Sequence, residues 1–294
     1  MRITLKRRSY SRIEGEKVQD VFKPVGIYQG LKKLISPKWK ARIFYLRGLP
    51  RDKTTRIQNR IKGRFPIPPR DLIFLVAGHH NATSFLQGGA TASQAIRDTL
   101  EKNSINIEGL HAILDFGCGV GRIMRHWNTL RGPALYGTDY NPTLIGWCQE
   151  NLNFAEFQVN TLSGRLPYPS STFDFIYVFS VFTHLSEPLQ FHWIEELSRV
   201  LRPGGYLYFT THGEYYFSKL ALELQEQLRN GQMVILRAEQ AGTNHCAVFH
   251  PERYVREKLV KNLVIVDFIA SGAKGDSQHD VYLLKKPPVS QFVR

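Results

Sequence analysis

The sequence predicts an α/β fold: a seven-stranded, mostly parallel sheet ending in a C-terminal antiparallel hairpin, with a basic N-terminal extension ahead of it. Three observations carry that expectation. From about residue 111, short apolar runs alternate with amphipathic stretches, the pattern of strands joined by crossover helices. The last two apolar runs are separated only by ASGAKGDSQH (270–279), too short for a helical crossover and suited to a hairpin. The charge is also divided: residues 1–70 hold 20 Lys+Arg against 4 Asp+Glu, whereas the rest of the chain holds 19 against 21.

The elements follow in order. HAILDF (111–116) reads as the first strand, and GRIMRHWNTL (121–130) as the helix after it. ALYGTD (134–139) is a second strand, stopped by Asn-Pro, with a helix over 142–152; AEFQVN (155–160) is a third. FDFIYVFS (173–180) is the most apolar strand and suits the centre of a sheet covered on both faces. A helix over 188–203 repeats Leu189, Trp193, Leu197 and Leu201 at spacings of four, and Arg-Pro-Gly-Gly ends it before the strand YLYFTT (206–211). An amphipathic stretch, 214–229, leads to a less regular segment, 230–250; Pro251 then starts another helix. NLVIVDFI (262–269) and DVYLLKK (280–286) form the hairpin. Residues 72–104 read as helices packed ahead of the first strand. The expected organisation is a basic extension over 1–70, a helical cap over 71–110, the α/β domain over 111–286 and a tail over 287–294.

Composition bounds the function classes. An apolar fraction of 43% with 22% charged residues is ordinary for a globular protein. The longest apolar run, FDFIYVFSVF, has ten residues and contains an acid, well short of the roughly 20 needed to span a bilayer. The N-terminus has a signal peptide's charge but no apolar stretch behind it, so a cytoplasmic location is expected. Three cysteines without a CxxC pair and scattered histidines suggest neither a disulfide framework nor a metal site.

The chemistry is concentrated at LDFGCGVGR (114–122), where a strand hands over to a helix through Gly117, Gly119 and Gly121. Gly117 permits a tight turn, Gly119 lets backbone approach a ligand, and Gly121 lets the following element start close to the sheet. Asp139 ends the second strand 20 residues after Gly119, where its carboxylate can accept hydrogen bonds from two ribose hydroxyls. The ligand therefore reads as a nucleoside. The G-x-G-x-G spacing is one residue shorter than the dinucleotide pattern, and Asp115 ahead of it suits a cationic, amino-acid-like tail better than a pyrophosphate. That disfavours a nicotinamide oxidoreductase.

With the terminal hairpin, LDFGCGVGR resembles motif I of the class I S-adenosylmethionine-dependent methyltransferases. YGTDYNP, LPYPSSTFDFIYVFSVFTHL and ELSRVLRPGGYLYFT resemble the later motifs in order, over roughly 110–286. The resemblance implies a Rossmann-like fold with S-adenosyl-L-methionine as cofactor. It implies that Asp115 and the backbone of Gly117, Cys118, Gly119 and Gly121 surround the methionine moiety. Asp139 would bind the ribose, Tyr140 would pack on the adenine, and Asn160 stands where the family often has an acid near the adenine amino group. Ser180 would join the cofactor contacts. A narrower resemblance, through SVFTHL, FTTHG and IPPRDLIFLVAG, is to methyltransferases of cell-surface polysaccharide and glycosyltransferase pathways.

Methyl transfer needs chiefly alignment of acceptor and methyl group, and a hydroxyl acceptor is helped by a base near neutral pKa. His184 and His212 follow the fourth and fifth strands at the carboxyl rim of the sheet, and both are candidate catalytic residues. His245 and His250 are candidates to wall the acceptor pocket, and Glu214, Tyr215 and Tyr216 read as the start of a helix or a stacking platform. The expected activity is O-methylation of a saccharide, glycolipid or related small acceptor. The alternatives are an RNA or other nucleic-acid methyltransferase and a non-catalytic cofactor-binding module. Residues 1–70 interleave basic and apolar side chains, as in LKKLISPKWKARIFYLRGLP (31–50), which suggests peripheral contact with a membrane surface and a lipid-linked acceptor.

Overall fold

The computed structural model describes residues 65–275 and 277–288. The basic extension, with its expected membrane contact, lies almost wholly outside them. Two helices come first, Arg70–Ala77 and Ala82–Lys102. Gly78, in the left-handed region at φ 71°, closes the first, and the Asn81 side chain caps the second by accepting the Ser84 N–H at 3.0 Å.

Strands β1 (Ala112–Phe116), β2 (Ala134–Asp139), β3 (Glu156–Val159), β4 (Phe173–Val178) and β5 (Leu201–Thr211) run parallel to one another. A two-stranded sheet, β6 (Val234–Leu236) with β7 (Ala247–Phe249), follows, then β8 (Val264–Ile269) and β9 (Asp280–Lys285). The main sheet has the order β3-β2-β1-β4-β5-β9-β8, with β9 antiparallel to both β5 and β8. This is the expected Rossmann-like, seven-stranded sheet with its terminal hairpin. β4 serves both of its faces: Phe175 and Tyr177 pack with Phe85, Ile96 and Trp127, while Ile176 and Val178 pack with Trp193 and Leu197. Helices Pro142–Asn151 and Glu187–Val200 complete the layers.

Four expectations are corrected. After the glycine turn there is a 3₁₀ turn, Met124–Trp127, in place of a helix. Gly119 and Gly121 have φ of 57° and 67°, which delays helical geometry, and the Asn128 side chain then takes the Arg125 carbonyl that a helix ladder would use. The chain after Glu187–Val200 enters β5 at once, so Arg-Pro-Gly-Gly lies inside a strand. Leu201 pairs with Phe173, and the extra residues are absorbed in a bulge where Gly204, at φ 79°, donates its N–H to the Lys286 carbonyl at 2.9 Å. The stretch 214–229 is two helices, Glu214–Phe217 and Leu222–Arg229. The first is closed by short-range bonds from the Lys219 and Leu220 N–H groups. Finally, the irregular segment 230–250 contains the β6–β7 pair.

Among the described residues no helix is long and apolar enough to cross a membrane, and no group of three His, Cys, Asp or Glu side chains is arranged to hold a metal ion.

Candidate active site

The strand order reverses at β1, between β2 and β4, and the glycine turn lies at its carboxyl end. Gly117 and Cys118 both donate their N–H groups to the Thr138 carbonyl, at 2.8 and 2.9 Å, which folds the turn back over β2. Gly119 donates to Asp139 Oδ2 at 3.0 Å, and Asn141 donates to Asp139 Oδ1 at 2.9 Å. Each carboxylate oxygen keeps further lone-pair capacity for a hydroxyl. A Cβ on Gly119 would stand 2.7 Å from Val76 Cγ2, and one on Gly117 would strike Val181. The turn is thus enclosed by the helix Arg70–Ala77 on one side and the loop leaving β4 on the other.

The electrostatics favour a cation. Asp115 is 3% exposed, and burial pushes its carboxyl up to about 7; the Tyr177 hydroxyl opposes this, the Asp139 carboxylate adds to it, and the Arg122 guanidinium opposes it. Burial likewise pushes Asp139 up to about 6, against the Asn141 and Gly119 N–H groups. An ammonium-bearing tail would favour the ionised acid, and ribose hydroxyls would supply donors to Asp139. Asn160 donates Nδ2 to the Thr161 carbonyl at 2.8 Å, whereas its Oδ1 is buried with no partner among the described residues. An unpaired buried acceptor beside β2 fits an adenine amino group. Tyr140, 42% exposed, stands next in the chain after Asp139. These residues fit S-adenosylmethionine.

Cys118 is buried, and desolvation followed by its neighbour Cys148 pushes its thiol well above the ordinary range. Cys148 donates its S–H to the Gly119 carbonyl at 3.4 Å. Both are packed thiols supporting the turn. Ser180 has φ 62°, and its N–H donates to Thr210 Oγ1 at 2.8 Å, tying the loop after β4 to β5.

That loop carries His184, on the 3₁₀ turn Phe182–His184. His184 Nδ1 lies 2.7 Å from the Cys246 carbonyl and His212 Nδ1 lies 3.0 Å from the Val248 carbonyl. A carbonyl only accepts, so both rings carry their proton on Nδ1 and present Nε2 as a lone pair. The two ring centroids are 6.3 Å apart. Both expected catalytic histidines therefore meet at the carboxyl rim, held by alternate carbonyls around β7. Burial lowers the pKa of His184; burial and then His184 lower that of His212 to about 3.

His245 is exposed, whereas His250 is fully buried and donates Nε2–H to Gln190 Oε1 at 2.9 Å. The structure also brings in His279, whose ring centroid is 4.6 Å from that of His212 and whose Nδ1 is 3.3 Å from Thr210 Oγ1. Sequence reasoning missed it. The signal was the antiparallel hairpin, because pairing Thr211 with Asp280 sets residue 279 beside residue 212.

Residues 114–209 match the family model described as a methyltransferase domain. The chain is 27% identical over 163 residues to the mitochondrial ubiquinone biosynthesis O-methyltransferase of Dictyostelium discoideum, a match covering 50% of this chain and 48% of that protein. It is 30% identical over 139 residues to a malonyl-[acyl-carrier protein] O-methyltransferase of Paenibacillus sp., covering 44% of this chain and 49% of that one. The chain thus spans about half the length of the curated relatives it matches. Among solved structures it is similar to a SAM-dependent methyltransferase from Methanosarcina mazei, with 22% identity, 64% of this chain and 97% of that chain covered, and a TM-score of 0.48.

Proposed function

We propose that this chain, whose residues 114–209 lie in a class I S-adenosylmethionine-dependent methyltransferase domain, transfers a methyl group to an oxygen atom of a small or lipid-type acceptor at the His184–His212 rim. The observation that carries the reading is the shared tautomer of those two imidazoles, each with Nδ1–H committed to a main-chain carbonyl and Nε2 left to accept a proton.

S-adenosylmethionine, when bound, supplies the methyl carbon as an electrophile. The chain's own groups do the rest. Asp115 and the glycine turn hold the cationic tail, Asp139 accepts from the ribose, Asn160 Oδ1 accepts from the adenine amino group, and Tyr140 covers the ring. Ser180 takes part through the loop that Thr210 holds. Because displacement at a sulfonium methyl needs no acid for the leaving group, orientation of the acceptor is the main requirement. An imidazole Nε2 at the rim then receives the hydroxyl proton, His184 ahead of His212, whose pKa burial lowers to about 3, away from the near-neutral value expected of a base. Both relatives above are O-methyltransferases, which supports oxygen as the acceptor atom.

The narrower sequence resemblance suggests a saccharide or glycolipid hydroxyl, in the cytoplasm and met at a membrane surface through residues 1–70. A nucleic-acid acceptor is the other use of that basic extension. Methyl-labelled S-adenosylmethionine offered with oxygen, nitrogen and carbon acceptors tests the main reading. Label on an oxygen that falls in His184→Gln or His212→Gln supports it, and label confined to nitrogen or carbon contradicts it.

A further inference from the structure

The histidine wall has a property that narrows the acceptor beyond the element oxygen. His184, His212, His250 and His279 come from the β4 loop, the end of β5, the end of β7 and the start of β9. The titratable or charged groups that influence them are one another and Arg122, with Tyr216 in ring contact with His212 at 4.6 Å. Among the described residues no carboxylate stands behind any of these rings. The acid next in sequence, Asp280, turns instead to the Ser271 N–H at 2.8 Å. His184 and His212 are backed by neutral carbonyls, and His250 by an amide whose own N–H groups are spent on the Phe182 and Leu185 carbonyls. His250 Nδ1 is consequently a second kind of lone pair, fully buried and without a partner.

At His184, His212 and His250 this wall offers acceptors, and no carboxylate bonds to those rings. An imidazole backed by a carboxylate gains basicity as its imidazolium is stabilised, whereas a neutral carbonyl raises His184 and His212 only against a larger lowering by burial. A ligand facing them must arrive protonated, to donate into the lone pairs, and must release that proton readily. An ionised carboxylate fails the first condition. An aliphatic hydroxyl, with a pKa near that of water at roughly 15.7, fails the second. A phenolic hydroxyl, near 10 as in tyrosine, meets both. The rings of Tyr216 and Phe249 flank His212, with centroids at 4.6 and 5.2 Å, so the wall around the nitrogen atoms is itself aromatic.

We infer that the acceptor is a phenolic or enolic hydroxyl carried on a planar ring, which donates to the carbonyl-backed imidazoles of His184 and His212. The inference rests on the oxygen-transfer reading above and deepens it. In the step the acceptor O–H bond breaks and an O–CH₃ bond forms as the S–CH₃ bond of the sulfonium donor breaks. The sulfonium leaves as a neutral thioether, and the proton passes to Nε2 of His184 or His212 and then to water.

The test offers the full chain methyl-labelled S-adenosylmethionine with three sets of compounds: substituted phenols of graded acidity, polyhydroxylic alcohols including simple saccharides, and amines. The expected result is labelled aryl methyl ether, with kcat/KM at pH 7 rising as the phenol becomes more acidic among phenols still protonated at that pH. In His212→Gln and His184→Gln the dependence on phenol acidity should change while affinity for S-adenosylhomocysteine stays within about twofold. Alcohols labelled as fast as phenols would overturn the inference and leave oxygen transfer standing. Label on amines alone would overturn both. A chain that binds the cofactor yet labels none of the phenols would also overturn it.

Discussion

Asp139 Oδ2 accepts the N–H of Gly119 at 3.0 Å, so the carboxylate expected to hold the ligand's ribose also holds the turn expected to cradle its tail. The two parts of the site are one hydrogen-bonded unit. Asp139→Ala should therefore weaken S-adenosylmethionine and S-adenosylhomocysteine alike. The loss of bonds to a charged group is worth about 1.5–3 kcal/mol, or ten- to a hundred-fold in Kd by titration calorimetry. An unchanged Kd in a folded variant would remove the ribose assignment.

A second prediction concerns pH. Asp115 and Asp139 are raised to about 7 and about 6, so both are partly protonated near neutrality without ligand. A cationic tail prefers the ionised acid, so affinity for S-adenosylhomocysteine should rise from pH 5.5 to 8 with proton release on binding. Calorimetry in buffers of different ionisation enthalpy measures that release. The stability linkage has the opposite sign. A carboxyl whose folded pKa is raised contributes stability below its unfolded value near 3.8 and loses it as pH climbs through the folded value. Asp115→Asn should flatten that part of the decline in Tm between about pH 4 and 7, and pH-independent affinity in the parent would contradict the account.

A third follows from the packing of the turn. Gly119→Ala forces a side chain into the left-handed region, at about 1–2 kcal/mol, and drives Cβ toward Val76. Thermal unfolding should show a lower Tm, with cofactor affinity reduced as well. Adding Val76→Ala should restore part of the Tm, because it removes the collision but leaves the backbone strain. No recovery would mean that the helix Arg70–Ala77 does not press on the turn as described.

A fourth tests the loop that carries His184. Thr210→Val leaves the half-buried Ser180 N–H without its 2.8 Å partner, at a cost of at most about 1–3 kcal/mol, and also removes the hydroxyl 3.3 Å from His279 Nδ1. Turnover should fall more than cofactor affinity, and Thr210→Ser should keep most of it. Equal loss in the valine and serine variants would point to packing of the methyl group instead of the hydroxyl.

Much of this was legible in the sequence. Strand positions came from apolar runs that also pack as runs, such as Phe173 to Val178 with buried side chains on both faces. Gly119 and Asp139 were singled out by their spacing as ligand contacts, but the hydrogen bond between them was not legible in it. The helix after Gly121 was misread because local competition, the Asn128 side chain on the Arg125 carbonyl, leaves no periodicity to detect. The β5 bulge was misread because Pro203 and Gly204 look like a terminator until the pairing with β4 and the bond to Lys286 are known. His279 and the carbonyls of Cys246 and Val248 depend on tertiary register, and main-chain acceptors have no signature in residue type.

We propose that the turn 117–121 with Asp115 and Asp139 is a site for a nucleoside bearing a cationic tail. Titration calorimetry of the full chain with S-adenosylhomocysteine and, separately, NAD measures it most directly. One-to-one binding of S-adenosylhomocysteine is expected, lost or weakened in Asp139→Ala, with no comparable heat from NAD. Saturable binding of NAD without binding of S-adenosylhomocysteine would contradict it.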